Sequence, residues 1–227
     1  MLGLTSFSRS FLSLNNLSSI TTIAGMTHRT HDTDAHVLED LLPSLLQASK
    51  QNPTQPLSIL DVGCGSGYLT AVFGRMLTKT TPSALNRGKV YGIDVIPELV
   101  ELSRRNMMKT DGDLLLEVTS DSSRGAVVEL MTRDGWGGYP PGSPYNAIHV
   151  GAAASTFPIQ LMKQLAVGGM MVIPVGPDGG TQYLYKVERV GDHSGGGGEK
   201  AATSGFNEDD YVVQRVLGVR YVPLVRT

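Results

Sequence analysis

The most constraining stretch of this chain is Leu60-Asp61-Val62-Gly63-Cys64-Gly65-Ser66-Gly67-Tyr68. A short apolar run, residues 57 to 62, leads into it, and residues 69 to 77 read as a helix leaving it. Gly63, Gly65 and Gly67 let the backbone turn sharply and let a ligand approach closely. The following helix directs its first N–H groups at a polar ligand. A strand, a glycine-rich turn and a helix in this order form the unit with which an open α/β sheet binds nucleotides.

The logic repeats downstream. Residues 90 to 93 read as a strand ending in Asp94, and Pro97 suits the first turn of a helix running toward Met108. Further strands are expected at 127 to 132, before Asp134-Gly135, and at 145 to 150. Residues 158 to 165 read as a helix ended by Gly168-Gly169, and 170 to 174 as a buried strand. Upstream, Ala35, Leu38, Leu41, Leu42, Leu45 and Leu46 recur at helical spacing. Alternating strands and helices imply a doubly wound, mostly parallel sheet with helices on both faces. The tail is β-rich at 183 to 190 and 211 to 224, which suits antiparallel C-terminal strands; Gly195 to Gly198 between them reads as a loop. The chain divides into a poorly defined segment, 1 to 33, and one domain, 34 to 227.

Spacing discriminates between ligands. A dinucleotide fingerprint, G-x-G-x-x-G, would need glycine where Tyr68 or Thr70 stands, and no G-K-[ST] follows to make a phosphate loop. The pattern D-x-G-x-G-x-G from Asp61 to Gly67 instead resembles motif I of the S-adenosylmethionine-dependent methyltransferases, whose fold is Rossmann-like. Asp94 can accept hydrogen bonds from both ribose hydroxyls, or cap the helix at Pro97; motif I upstream favours the ribose. Asp134-Gly135 resembles the adenine-binding group of those enzymes, or forms an ordinary turn. Cys64 reads as a small residue packed in the loop rather than a reactive thiol.

A more specific resemblance lies in Tyr145-Asn146-Ala147-Ile148-His149-Val150-Gly151-Ala152-Ala153-Ala154. It is similar to the Y-D-A-I-H-V-G-A-A-A segment of protein-L-isoaspartate O-methyltransferases. Gly92-Ile93-Asp94, Ile173-Pro174-Val175-Gly176-Pro177 and Gly218-Val219-Arg220-Tyr221-Val222-Pro223-Leu224 keep that family's order. The resemblance implies methyl transfer from S-adenosyl-L-methionine to the free carboxylate of L-isoaspartyl or D-aspartyl residues in damaged proteins. S-adenosyl-L-homocysteine is left, and the ester decays through a succinimide toward normal aspartate. The expected cofactor residues are Asp61, Gly63, Gly65, Gly67, Asp94, Asp134 and Gly135. Val150, Gly151, Ala152, Tyr221 and Val222 are the expected walls of the substrate pocket. His149 reads as a satisfied core histidine.

One segment departs from the family pattern. Where T-I-S-A-P-H-M-H is expected, the chain has Thr22-Ile23-Ala24-Gly25-Met26-Thr27-His28. Ala24 carries no hydroxyl, leaving Thr22 and Thr27 as candidates to orient the substrate. A second reading therefore stays open, a weak or inactive member that keeps the pocket and binds peptides or partner proteins. The formal net charge of −2 recruits neither nucleic acid nor an anionic membrane. No apolar run reaches the ~18 residues of a membrane span. No His and carboxylate spacing compels a metal. One cysteine, Cys64, suits a reducing compartment. A monomer in the cytoplasm is expected, with the Ser- and Thr-rich, acid-free first thirty-one residues as the feature that allows organellar targeting.

Overall fold

The computed structural model describes residues 32–52, 54–80, 88–115, 126–192 and 206–226. In chain order these form α1 (Asp32–Gln51), β1 (Ser58–Val62), α2 (Tyr68–Thr80), β2 (Lys89–Asp94), α3 (Pro97–Thr110) and α4 (Gly112–Leu115). Then follow β3 (Val128–Thr132), β4 (Tyr145–Val150), α5 (Ile159–Lys163), β5 (Leu165–Val175), β6 (Gln182–Arg189) and β7 (Tyr211–Val219). The strands make one seven-stranded sheet in the order β3-β2-β1-β4-β5-β6-β7. Pairings from β3 through β5 are parallel, and those of β5 with β6 and β6 with β7 are antiparallel.

The sheet is covered on both faces, so its central strands are buried along most of their length rather than on alternate residues. On one face Ile59, Ala147, Val172 and Leu184 pack beneath Val37, Leu41 and Leu45 of α1, Phe73 and Leu77 of α2 and Met107 of α3. On the other, Leu60, Val62, Ile148, Val150 and Ile173 meet Leu161 and Met162 of α5 and Trp136. Strand order reverses at β1, with β2 on one side and β4 on the other. That switch point opens a crevice beyond the C-terminal strand ends, where open sheets bind ligands.

Three boundaries differ from the sequence-based expectation. Helix α5 stops at Lys163, and Gly168-Gly169 falls inside β5 rather than ending the helix. The cause is a slip in pairing: Tyr145 pairs with Leu165 but Ala147 with Met170, so the chain between them bulges. Gly168 takes φ +77° there, and a Cβ on Gly169 would lie 2.6 Å from the Tyr145 carbonyl oxygen. The last strand, β7, ends at Val219 instead of 224, because the following residues leave β6 and pair with Ala153. The short α4 has no counterpart in the apolar periodicity. The expected loop at Gly195 to Gly198 lies outside the described residues.

Candidate active site

Backbone hydrogen bonds join four strand ends along one edge of the sheet. The Gly151 N–H donates to the Val62 carbonyl at 2.7 Å. The Gly63 and Cys64 N–H groups both donate to the Ile93 carbonyl, at 2.8 and 3.0 Å, and Arg133 N–H donates to the Asp94 carbonyl at 2.8 Å. The ends of β4, β1, β2 and β3 are thus fixed side by side, and with them residues 151, 63 to 67, 94 and 134.

Between β1 and α2 the turn uses positive φ at Gly63 (76°), Gly65 (53°) and Gly67 (82°), a region where a side chain is strained. Helix α3 supports this turn from outside. The Ser103 hydroxyl donates to the Gly65 carbonyl at 2.8 Å, and the Asn106 amide donates to the Ser66 carbonyl at 3.1 Å. Across the turn, Asp94 accepts from Gly65 N–H at 3.1 Å on Oδ2 and from Ile96 N–H at 3.0 Å on Oδ1. Each carboxylate oxygen has two lone pairs, so acceptor capacity remains for a pair of ligand hydroxyls. Cys64 is buried in the turn, and burial, followed by the nearby Asp61 charge, pushes its thiol up to about 12. That suits a packing residue.

Asp61 takes a different place from the one expected. It lies under the turn, 1% exposed, with Oδ2 accepting from the Thr70 hydroxyl and Oδ1 2.7 Å from His149 Nδ1. A carboxylate only accepts, so the hydrogen of that pair sits on Nδ1. Asp61 therefore supports the loop through α2 and β4. His149, 4% exposed, is a satisfied core histidine.

Past β3, Asp134 Oδ1 accepts the Trp136 N–H at 2.9 Å, forming a tight turn. Gly135 is wedged between strand and tail: a Cβ there would lie 2.7 Å from Val62 Cγ1 and 2.9 Å from Leu224 Cδ1. Trp136 Nε1 donates to the Leu224 carbonyl at 2.9 Å, and the Arg226 guanidinium lies 4.2 Å from the Trp136 ring centroid. The C-terminal tail thereby closes over the third strand end.

The residues expected to wall a substrate pocket also come together. Gly151 approaches the turn so closely that a Cβ would sit 2.9 Å from the Gly63 carbonyl oxygen. Ala153 pairs with the tail, donating to the Val222 carbonyl and accepting from Leu224 N–H, both at 2.8 Å. Val150 is 1% exposed, so only its backbone is near the crevice, whereas Val222 is 71% exposed. Tyr221 is half-buried, held by Gln182. Thr22 and Thr27, and the rest of the divergent segment, lie outside the described residues. Sequence reasoning missed Thr70, Ser103 and Gln182. Each is a polar residue in a helix or strand with a partner at least nine positions away, so no local pattern marks them. Among the described residues, no group of three or more His, Cys, Asp or Glu could hold a metal, and no helix is long and apolar enough to cross a membrane.

Comparison with known proteins agrees with this arrangement. The chain is 36% identical over 167 residues to a protein-L-isoaspartate O-methyltransferase of Staphylothermus marinus, covering 74% of this chain and 60% of the relative. It is 36% identical over 195 residues to protein-L-isoaspartate O-methyltransferase 2 of Arabidopsis thaliana, covering 86% of this chain and 49% of that one. The chain thus spans between half and three-fifths of these relatives' lengths. In fold it resembles a Plasmodium falciparum structure described as a protein-L-isoaspartate O-methyltransferase in complex with S-adenosyl-L-homocysteine. The TM-score is 0.62 at 21% identity, over 97% of this chain and 94% of that one. The family model described as protein-L-isoaspartate(D-aspartate) O-methyltransferase matches residues 45–227, and the chain belongs to that family.

Proposed function

We propose that the chain transfers a methyl group from S-adenosyl-L-methionine to the free carboxylate of L-isoaspartyl or D-aspartyl residues in damaged proteins. One observation carries the reading: the glycine turn, Asp94, Asp134-Gly135 and Gly151 lie on adjoining strand ends of one sheet edge. The Plasmodium falciparum structure, described in complex with S-adenosyl-L-homocysteine, supports the same cofactor here.

The residues present fit that cofactor. Gly63, Gly65 and Gly67 leave a cradle without side chains, Asp94 keeps acceptor capacity for the ribose, and Asp134 with the Gly135 backbone offers an adenine edge. Asp61 acts from below by holding Thr70 and His149, not by touching the cofactor. Bound, the cofactor supplies an electrophilic methyl on a sulfonium sulfur. The acceptor carboxylate is ionised at neutral pH, so no general base is needed. The chain's work is alignment, which can be worth ~7–11 kcal/mol. Gly151 and Ala152 let a peptide backbone come close to the turn, and Tyr221 and Val222 form the opposite wall. Crowding of these walls thins the water around the acceptor oxygen and replaces it with fixed dipoles. Thr22 and Thr27 remain the candidates for orienting the carboxylate.

In this reading the chain works as a cytoplasmic monomer on isoaspartyl-containing peptides and proteins, without nucleic acid. Size-exclusion chromatography with light scattering checks the oligomeric state. The decisive experiment is methyl transfer from tritiated S-adenosylmethionine to an isoaspartyl peptide and to its normal aspartyl isomer. Label on the first alone is expected. Label on neither, with S-adenosylhomocysteine still bound, would turn the reading to a peptide-binding module.

A further inference from the structure

The acceptor wall depends on where the chain goes after β7 ends at Val219. Downstream, residues 222 and 224 are anchored by Ala153. Upstream, the anchor is a side chain. Gln182, the first residue of β6, is 3% exposed. Its Oε1 accepts the Tyr221 N–H at 2.7 Å, and its Nε2 donates to the Tyr221 carbonyl at 3.2 Å and to the Pro177 carbonyl at 3.5 Å. A primary amide carries an acceptor and a donor side by side, as a backbone peptide does. Gln182 thus closes the ladder twice. Its backbone pairs with Val219, and its side chain makes the next rung with Tyr221.

Gln182 also packs against Gly176. Gly176 takes φ +155°, and a Cβ on it would lie 2.8 Å from Gln182 Cα and 3.1 Å from its Cγ. The Gly176 N–H in turn donates to the Ala154 carbonyl at 2.9 Å. The amide therefore sits between the segment that follows β4 and the tail that faces it. A change in its length or polarity moves Tyr221 relative to Gly151, while the cofactor turn, built on β1, α2 and α3, is not in its path.

We propose that Gln182 is a positioning residue for the acceptor peptide: by pairing with the Tyr221 backbone it sets the wall formed by Tyr221 and Val222. This rests on the reading above that the tail flanks the acceptor pocket. The test compares wild type, Gln182→Met and Gln182→Glu. Met keeps the length and loses both bonds. Glu keeps the acceptor for Tyr221 N–H and faces the Tyr221 carbonyl with an oxygen.

The readouts are KM for an isoaspartyl peptide, kcat, S-adenosylhomocysteine affinity by calorimetry, and hydrogen exchange of the Tyr221 amide. In Gln182→Met, KM is expected to rise about tenfold, the equivalent of about one lost hydrogen bond. Tyr221 amide protection falls with it, while kcat and S-adenosylhomocysteine affinity stay within about twofold. In Gln182→Glu, Tyr221 protection is largely kept and KM rises less. An unchanged KM in the Met variant overturns the proposal. So does S-adenosylhomocysteine affinity falling in step with KM, which marks a general structural role. If the Met variant does not fold, the Glu variant decides alone, through a KM rise at constant S-adenosylhomocysteine affinity. A wild type that labels no isoaspartyl peptide sinks the functional reading itself, and this inference with it.

Discussion

Replacing His149 by Leu tests the buried support under the cofactor turn. The substitution removes the Nδ1–H donor 2.7 Å from Asp61 Oδ1 and leaves a similar apolar volume. Asp61 is 1% exposed, so water does not take the donor's place, and Thr70 already serves the other oxygen. Leaving a buried acceptor without its donor costs about 1–3 kcal/mol, and more for a charged one. For a chain of this size each kcal/mol lowers Tm by about 2–4 °C, so a drop on the order of 10 °C is expected by calorimetry. The sharper consequence is a change of sign. In wild type, Asp61→Asn weakens two good hydrogen bonds and destabilises. In the His149→Leu background the same change removes an uncompensated charge and is expected to restore about 1–3 kcal/mol. Urea denaturation of the four proteins gives the cycle. Asp61→Asn destabilising in both backgrounds, or a His149→Leu Tm within about 2 °C of wild type, would refute the reasoning.

Three further outcomes follow from the same geometry. Gly151→Ala puts a Cβ 2.9 Å from the Gly63 carbonyl oxygen, backbone against backbone. Cofactor affinity and methyl transfer should both fall at least about tenfold, since a misplacement of about 1 Å costs up to about 10²-fold in rate; unaltered turnover contradicts that close approach. Asp94→Ala removes the acceptor for Gly65 N–H and, in our reading, for the ribose. It should weaken S-adenosylhomocysteine binding in calorimetry far more than it lowers Tm, and equal affinity removes the ribose assignment. Cys64, with its thiol pushed by burial from the ordinary 9.0 to about 12, should resist iodoacetamide at pH 8 until the chain is unfolded in urea. The folded state holds the neutral thiol more tightly than the unfolded chain does. This contribution is complete below about pH 9 and is lost as pH rises toward about 12. Rapid alkylation of the folded protein, seen by mass spectrometry, counts against the packing.

Features of this protein with local causes are legible along the chain. Three glycines within five residues fix the turn after β1 because only glycine holds positive φ freely there. Mostly apolar, non-alternating runs mark β1, β2 and β4 because parallel strands covered on both faces bury most of their side chains. Asp94 and Asp134 could be placed at strand ends for the same reason. The motif around Gly151 pointed to the family before any contact was known. Outcomes of competition between distant partners emerge only in the folded sheet. Leu165 has helical company on one side, yet it joins a strand because Tyr145 offers it a ladder. The tail after Val219 reads as more strand, yet Ala153 and Gln182 capture it. Asp61 reads as a ligand contact, but a strand sends alternate side chains to opposite faces, and its face carries Thr70 and His149. Hydrogen-bond partners that lie nine to eighty-eight positions apart leave no period in a sequence, so only the folded sheet could assign them.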